Sequence, residues 1–204
     1  AISTSSSLRS RMSPPEMDRQ PLLEGERYLL RPLTAEDWSE LYAVASDPAV
    51  WEQHPMTDRW RADVFRVFFD DALAKDGALA IIDKRDGSII GSSRFQALKS
   101  AEDDEEEQSS VEIGWTFLAP RYWGKGANRE VKRLMVGHAL QSVERVDFRV
   151  GEANWRSRIA LENIGAQQTR RTELSKHRGK RVLHLVYAIT RDDFAHGPLI
   201  QGIE

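Results

Sequence analysis

From Tyr28 onward, apolar and polar positions follow a regular pattern. Residues 28–30 form a short apolar run ended by Pro32, which reads as a strand. Thr34 followed by Asp37 predicts a helix start, and Trp38, Leu41, Tyr42, Val44 and Ala45 then recur at helical spacing. Val64, Phe65, Val67, Phe68, Ala72 and Leu73 mark a second helix. Residues 78–83 and 88–95 flank Asp86-Gly87, the pattern of a hairpin. Another strand is predicted over 111–118, a helix over about 128–143 and a strand over 146–150. A short helix over 157–164 ends at Gly165. Two last strands, over 168–174 and 182–189, flank a turn at Gly179. This order predicts a single domain over 21–204, α/β (α+β) in class, with a mixed and mostly antiparallel sheet. Residues 1–20 are rich in Ser, Arg and Pro. They read as a disordered tail, too poor in apolar residues to offset the entropy of ordering.

Composition narrows the function classes. With 204 residues, 40% hydrophobic and 30% charged, the chain can bury one sizeable core. No apolar run approaches the roughly 18–20 residues of a membrane-spanning helix, so no membrane partner is expected. The absence of cysteine removes thiol nucleophiles, disulfides and cysteine-based zinc sites. It also fits a reducing compartment, and a cytoplasmic location is the expectation. The five histidines show no metal spacing, so no metal site is expected. A net charge of -3 argues against nucleic acid as a partner. Residues 102–107 are all acidic, which leaves the rest of the chain net positive. Arg170, Arg171, Lys176, Arg178, Lys180 and Arg181 form a basic stretch, and both segments are expected in loops. Most of the six tryptophans are expected in the core.

The segment from Arg121 to Asn128, RYWGKGAN, lies between a predicted strand and a predicted helix. Glycines there let backbone N–H groups approach an anion, and the helix N-terminus adds its positive end. A phosphate or pyrophosphate suits such a site. Lys125 is followed by Gly126 rather than Ser or Thr, which excludes a P-loop. Arg129 stands where a dinucleotide fingerprint needs its third glycine.

Arg121-x-x-Gly124-x-Gly126 resembles the [QR]-x-x-G-x-[GA] loop of the GNAT superfamily of acyl-CoA-dependent N-acyltransferases. The preceding VEIGWTFLAP, together with Asn128, Glu130 and Lys132, is similar to the RimJ/RimL-like branch. So are Asn154, Ser157 and the run ALENIGA at 160–166. The resemblance covers roughly residues 22–195. It implies a six- to seven-stranded sheet with helices on both faces. The fourth and fifth strands, here 111–118 and 146–150, would splay apart to admit acetyl-CoA. By motif, the backbone at Gly124, Lys125, Gly126, Ala127 and Asn128 would hold the pyrophosphate, with Arg121 opening the loop. Phe117 and Leu118 would offer backbone groups to the pantetheine arm. Asn154 would contact the cofactor, and Ser157 would lie near its sulfur. Both residues are also good helix caps.

The implied reaction is direct acetyl transfer to a primary amine in a ternary complex. Glu112 is the first candidate for taking the amine's proton. By strand alternation it shares a face with Gly114 and Thr116, opposite Val111, Ile113, Trp115 and Phe117. Ser157 is the candidate for protonating the leaving thiolate, with Tyr187 a lesser one. Leu161 stands where many family members carry a tyrosine. The alternative is a catalytically inactive module of the same fold that binds CoA or a protein partner. Expected acceptors are small amines or a protein N-terminus, and a homodimer is possible on the family's habits. Trp51 and Trp60 flank the connection that would line the acceptor pocket. The acidic run could attract a cationic acceptor such as a polyamine, or pair with the basic turn.

Overall fold

The computed structural model describes residues 16–201. The sequence alternates short apolar strands with amphipathic helices, and these assemble around one sheet. The strands are β1 (Leu23–Glu24), β2 (Tyr28–Pro32), β3 (Ala78–Asp83), β4 (Ile89–Lys99), β5 (Ser110–Leu118), β6 (Arg145–Gly151), β7 (Gln167–His177) and β8 (Lys180–Thr190). The helices are α1 (Trp38–Ala45), α2 (Ala62–Ala74), α3 (Ala127–Ala139), α4 (Trp155–Asn163) and α5 (Arg191–His196). The sheet therefore has eight strands, in the order β1-β2-β3-β4-β5-β6-β8-β7, rather than the expected six or seven. The additional strand is β1, two residues long and too short to show a period.

One apolar core lies between the sheet and α3, built from Val131, Met135, Val136 and Ala139 against Val111, Ile113 and Val146. The other lies under α1 and α2, where Phe65, Phe68 and Trp51 surround Phe117. Trp51 and Phe117 sit 5.1 Å apart between ring centroids. Helices thus cover both faces. Two tryptophans depart from the expected core role, since Trp155 is 59% and Trp60 40% exposed.

Every strand pair is antiparallel except β5 with β6. That parallel pair holds only at Ser110–Glu112 against Arg145–Asp147. Beyond Glu112 the strands separate, and a wedge-shaped gap opens toward the C-terminal end of β5.

Two charged segments differ from expectation. The basic stretch lies largely within β7 and β8, because alternation lets long cationic side chains point to solvent while the ladder continues. The acidic run is only partly solvated. Arg145, 2% exposed, binds Asp104 at 2.7 Å, Glu106 at 2.7 Å and Asp147 at 2.9 Å. Arg171 adds a second bond to Asp147 at 2.7 Å. Through Asp104 and Glu106 the run therefore pairs with β6 and with the start of the basic stretch. The expected tail falls mainly on residues 1–15, outside the described residues. From residue 16 the chain packs on the domain, with Met17 against the core and the Asp18 carbonyl 2.7 Å from His138 Nε2.

Candidate functional site

The glycine loop leaves β5 through one tight turn at Pro120–Tyr122. Gly124 and Gly126 both adopt left-handed backbone, with φ of +67° and +83°. A Cβ at either would meet nothing within 4 Å, so conformation rather than crowding calls for glycine. Gly126 caps α3, whose first internal bond runs from Glu130 N–H to the Gly126 carbonyl at 3.1 Å. The N–H groups of Ala127, Asn128 and Arg129 are therefore left at the helix end, without intrahelical partners. Glu130 anchors this end by accepting from the Arg27 and Tyr28 N–H groups at 2.8 and 3.1 Å.

A cavity of about 330 Å³ lies against this loop. Gly124, Gly126, Asn128 and Arg129 form one wall, and Asn154, Arg156 and Ser157 from the start of α4 form another. Orphan amides, a helix N-terminus and two arginines suit a diphosphate. Arg156 also stacks 4.0 Å from the Trp123 ring centroid, which fixes it at the cavity mouth. The spacing of motifs gave no signal for Arg129 or Arg156.

The expected site residues divide into three groups. Phe117, Leu118, Gly124, Gly126, Asn128, Asn154 and Ser157 all line the cavity. Ala127 is buried in the α3 core and can offer only its backbone. Lys125 is exposed and Arg121 faces elsewhere, 5.1 Å over the Tyr122 ring and beside a surface groove with Glu40. The Ala119 N–H bonds the Ile90 carbonyl at 2.8 Å. Alternation then turns the backbone of Leu118 to the opposite edge, toward the gap. Its carbonyl already accepts from Trp123 Nε1 at 3.0 Å. Asn154 does cap α4, accepting the Ser157 N–H at 3.2 Å, while it lines the cavity. Of the two flanking tryptophans, Trp51 reaches the cavity wall.

The middle of β5 breaks the alternation used to place Glu112. Trp115 has φ of +53°, and the β4–β5 register slips between Ser92 and Arg94. This bulge turns Trp115 and Phe117 to the α1–α2 core, while Val111, Ile113 and Leu118 remain on the α3 side. Glu112 therefore shares its face with Trp115 and Phe117, not with Thr116. It does not line the main cavity. Its Oε2 accepts from Arg149 Nη2 at 2.9 Å, and a Cβ on Gly114 would stand 3.3 Å from its Oε1. Gly114 and Arg149 both line a second cavity of about 170 Å³. Glu112 itself is not on that wall but lines a separate acidic cavity with Asp104, Asp147 and Glu173. Burial raises the Glu112 pKa above the usual value of 4.5, although Arg149 works against it.

The second cavity continues the first past the bulge. Both are lined by Trp51, His54, Thr116, Asn128, Asn154 and Ser157. Lys132 lies on its wall, one helical turn after Asn128 and on the same face of α3. That spacing was readable, but it assigned Lys132 no role. Its Nζ donates to Thr116 Oγ1 at 2.6 Å, and burial lowers its pKa to about 7. Tyr187 is fully buried, donates its hydroxyl to Glu162 at 3.1 Å and lies off both cavity walls. Leu161, in the place of the common tyrosine, lines the second cavity with an apolar side chain that donates no proton.

Residues 27–167 match the family model described as acetyltransferase (GNAT) domain. Similar folds occur in solved structures. A GCN5-related N-acetyltransferase from Brucella melitensis aligns with a TM-score of 0.75 at 19% identity, over 91% of this chain and 85% of that one. Mycobacterium smegmatis RimJ in complex with CoA-disulfide gives 0.61 at 17%, over 92% and 90%. Spermidine N-acetyltransferase from Vibrio cholerae, in complex with CoA and spermine, gives 0.62 at 12%, over 84% and 99%. At these identities the structural likeness establishes the fold.

Proposed function

The chain belongs to the GNAT acetyltransferase family, and from that premise we propose that it transfers an acetyl group from acetyl-CoA to a primary amine. The observation that carries this reading is the gap between β5 and β6, with the glycine loop and two arginines at one end and a buried carboxylate at the other. The RimJ/RimL-like assignment rests on the Asn128, Glu130 and Lys132 pattern and on the similarity to RimJ. Among the described residues no helix is long and apolar enough to cross a membrane.

The N–H groups of Gly126, Ala127 and Asn128 would hold the pyrophosphate of acetyl-CoA, with Arg129 and Arg156 lining the same cavity to offset its charge. The backbone of Leu118 faces the pantetheine arm, and Asn154 fixes the start of α4 beside it. A protonated amine has no lone pair for attack, so a base must act first. Glu112, next to the open position at Gly114, takes that proton through water. The neutral amine attacks the thioester carbonyl. The Leu118 N–H, directed into the gap, receives the developing oxyanion. As the C–S bond breaks, the nitrogen sheds its second proton to water and the sulfur leaves as a thiolate beside the Ser157 hydroxyl. A thiol pKa of about 8.5, by analogy with cysteine, makes that thiolate a fair leaving group without strong acid help.

The test is release of free CoA thiol from acetyl-CoA in the presence of an amine panel. Amine-dependent, saturable release is expected. Binding of acetyl-CoA without amine-dependent release would instead favour the inactive binding module.

A further inference from the structure

We propose that the acceptor carries an anionic group, a carboxylate or a phosphate, close to its reactive amine, and that Arg59 and Lys132 hold this group in the second cavity. The proposal rests on the acetyl-transfer reading above and deepens it by naming the substrate class.

The wall of that cavity presents Arg59, Arg149, Lys132, His54 and His184, and no aspartate or glutamate. Arg149 is balanced from behind by Glu112 at 2.9 Å and Glu173 at 2.6 Å. Arg59 is not. Among the described residues it makes no ion pair, and its neighbour Asp58 is engaged by Arg178 at 2.5 Å. Its guanidinium instead rests against two rings, 5.2 Å from the Trp51 centroid and 4.6 Å from Phe68. Stacking fixes the plane and leaves the donors at its edge for another partner. Burial, aided by Arg94, lowers its pKa to about 10, which keeps it charged at neutral pH.

Lys132 has the same deficit. The Thr116 hydroxyl is its one acceptor among the described residues. With one hydrogen bond and no counter-charge, its ammonium form is disfavoured by burial, and a bound anion restores that form. His54 adds a third donor. Its Nδ1 accepts the Met56 N–H at 2.9 Å, and burial together with Arg59 lowers its pKa to about 3, so the ring is neutral. That hydrogen bond assigns the ring proton to Nε2, which lies 3.5 Å from Arg59 Nη1. Two donors face each other with no acceptor between them, and an anion there would accept from both.

A polyamine fits poorly. It needs carboxylates, and none lines the second cavity. The cavity, at about 170 Å³, matches a small charged head better than a bulky one.

The experiment measures acetyl-CoA-dependent rates for matched amines. Glutamate, aspartate and methionine are each compared with their fully amidated forms, phosphoethanolamine with ethanolamine, and spermidine is included. The expected result is a kcat/KM at least about 10-fold higher for the anionic member of a pair, carried mainly by KM. In Arg59→Met and in Lys132→Met the preference should shrink to within about 2-fold, and Arg59→Lys should restore part of it. Lys132→Met removes a buried charge at similar volume, so it remains informative if Arg59→Met does not fold. Preference for spermidine or the amides would overturn the proposal, as would a preference unchanged in both methionine variants. If no amine reacts while acetyl-CoA still raises the melting temperature, the proposal falls and the acetyl-CoA reading stands. If acetyl-CoA produces no shift, both fall.

Discussion

Glu112→Gln is expected to lower kcat by about 10²–10⁴-fold, the range for loss of a positioned proton acceptor. The substitution keeps the shape and removes the basicity. Arg149 retains Glu173 at 2.6 Å, so the neighbourhood keeps a counter-charge. The KM for acetyl-CoA should change little, since Glu112 lies off the wall of the main cavity. The pH profile gives a second readout. Burial raises the Glu112 pKa above 4.5. The active form is the deprotonated one, so the wild-type rate should rise with pH through a value above the usual carboxylate range. That limb should be absent in the glutamine variant. Steady-state rates from about pH 5 to 9 check both statements. A variant with unchanged kcat and an unchanged acid limb would remove Glu112 from the mechanism.

Arg145→Met is expected to destabilise the fold by about 3–5 kcal/mol, because it strands the buried Asp104 carboxylate, while Asp147 and Glu106 keep Arg171. Asp104 and Arg145 are 3% and 2% exposed at their side chains. At this chain length the loss corresponds to a melting temperature lower by roughly 6–20 °C. Burial pushes the Asp104 and Asp147 carboxyls up, but hydrogen bonds from Arg145, and from Arg171 to Asp147, outweigh it and hold both below 3.8. Groups lowered in this way contribute stability above pH 3.8 and lose it as pH falls through their folded values. In the variant this acid-dependent contribution should diminish, alongside the lower stability at neutral pH. Chemical denaturation at pH 7 and at about pH 2, well below 3.8, measures it. The cluster also fixes the three paired residues of β5 and β6, from which the gap opens. Stability unchanged at pH 7 would show that the network adds nothing there.

Much of the architecture was legible because it depends on periodicity. The helical spacing from Trp38 to Ala45 and the Asp86-Gly87 hairpin are local patterns, and both form where the sequence places them. The glycine loop was legible for a related reason, since Gly124 and Gly126 adopt left-handed backbone that other residues rarely take. The face carrying Glu112 was not. Alternation along a strand assumes no inserted residue, and Trp115 in left-handed backbone is an unusual residue for a bulge. Arg59 was hidden for a different reason. It lies in the connection before α2, where no period exists, and only the tertiary fold stacks it on Trp51 and Phe68. The acidic run was read as solvated because six like charges repel. Nothing local indicated that Arg145, nearly forty residues away in sequence, would draw in Asp104 and Glu106.

The central claim is that the gap between β5 and β6 holds acetyl-CoA. The most direct test is a thermal-shift titration of the full chain with acetyl-CoA, with ATP and NAD as controls. Ligand at 100 times its dissociation constant should stabilise the fold by about 2.7 kcal/mol, a rise of roughly 5–10 °C. The account predicts a saturable shift of that size with acetyl-CoA and much smaller shifts with the controls. No shift at millimolar acetyl-CoA, or equal shifts with all three ligands, would contradict it.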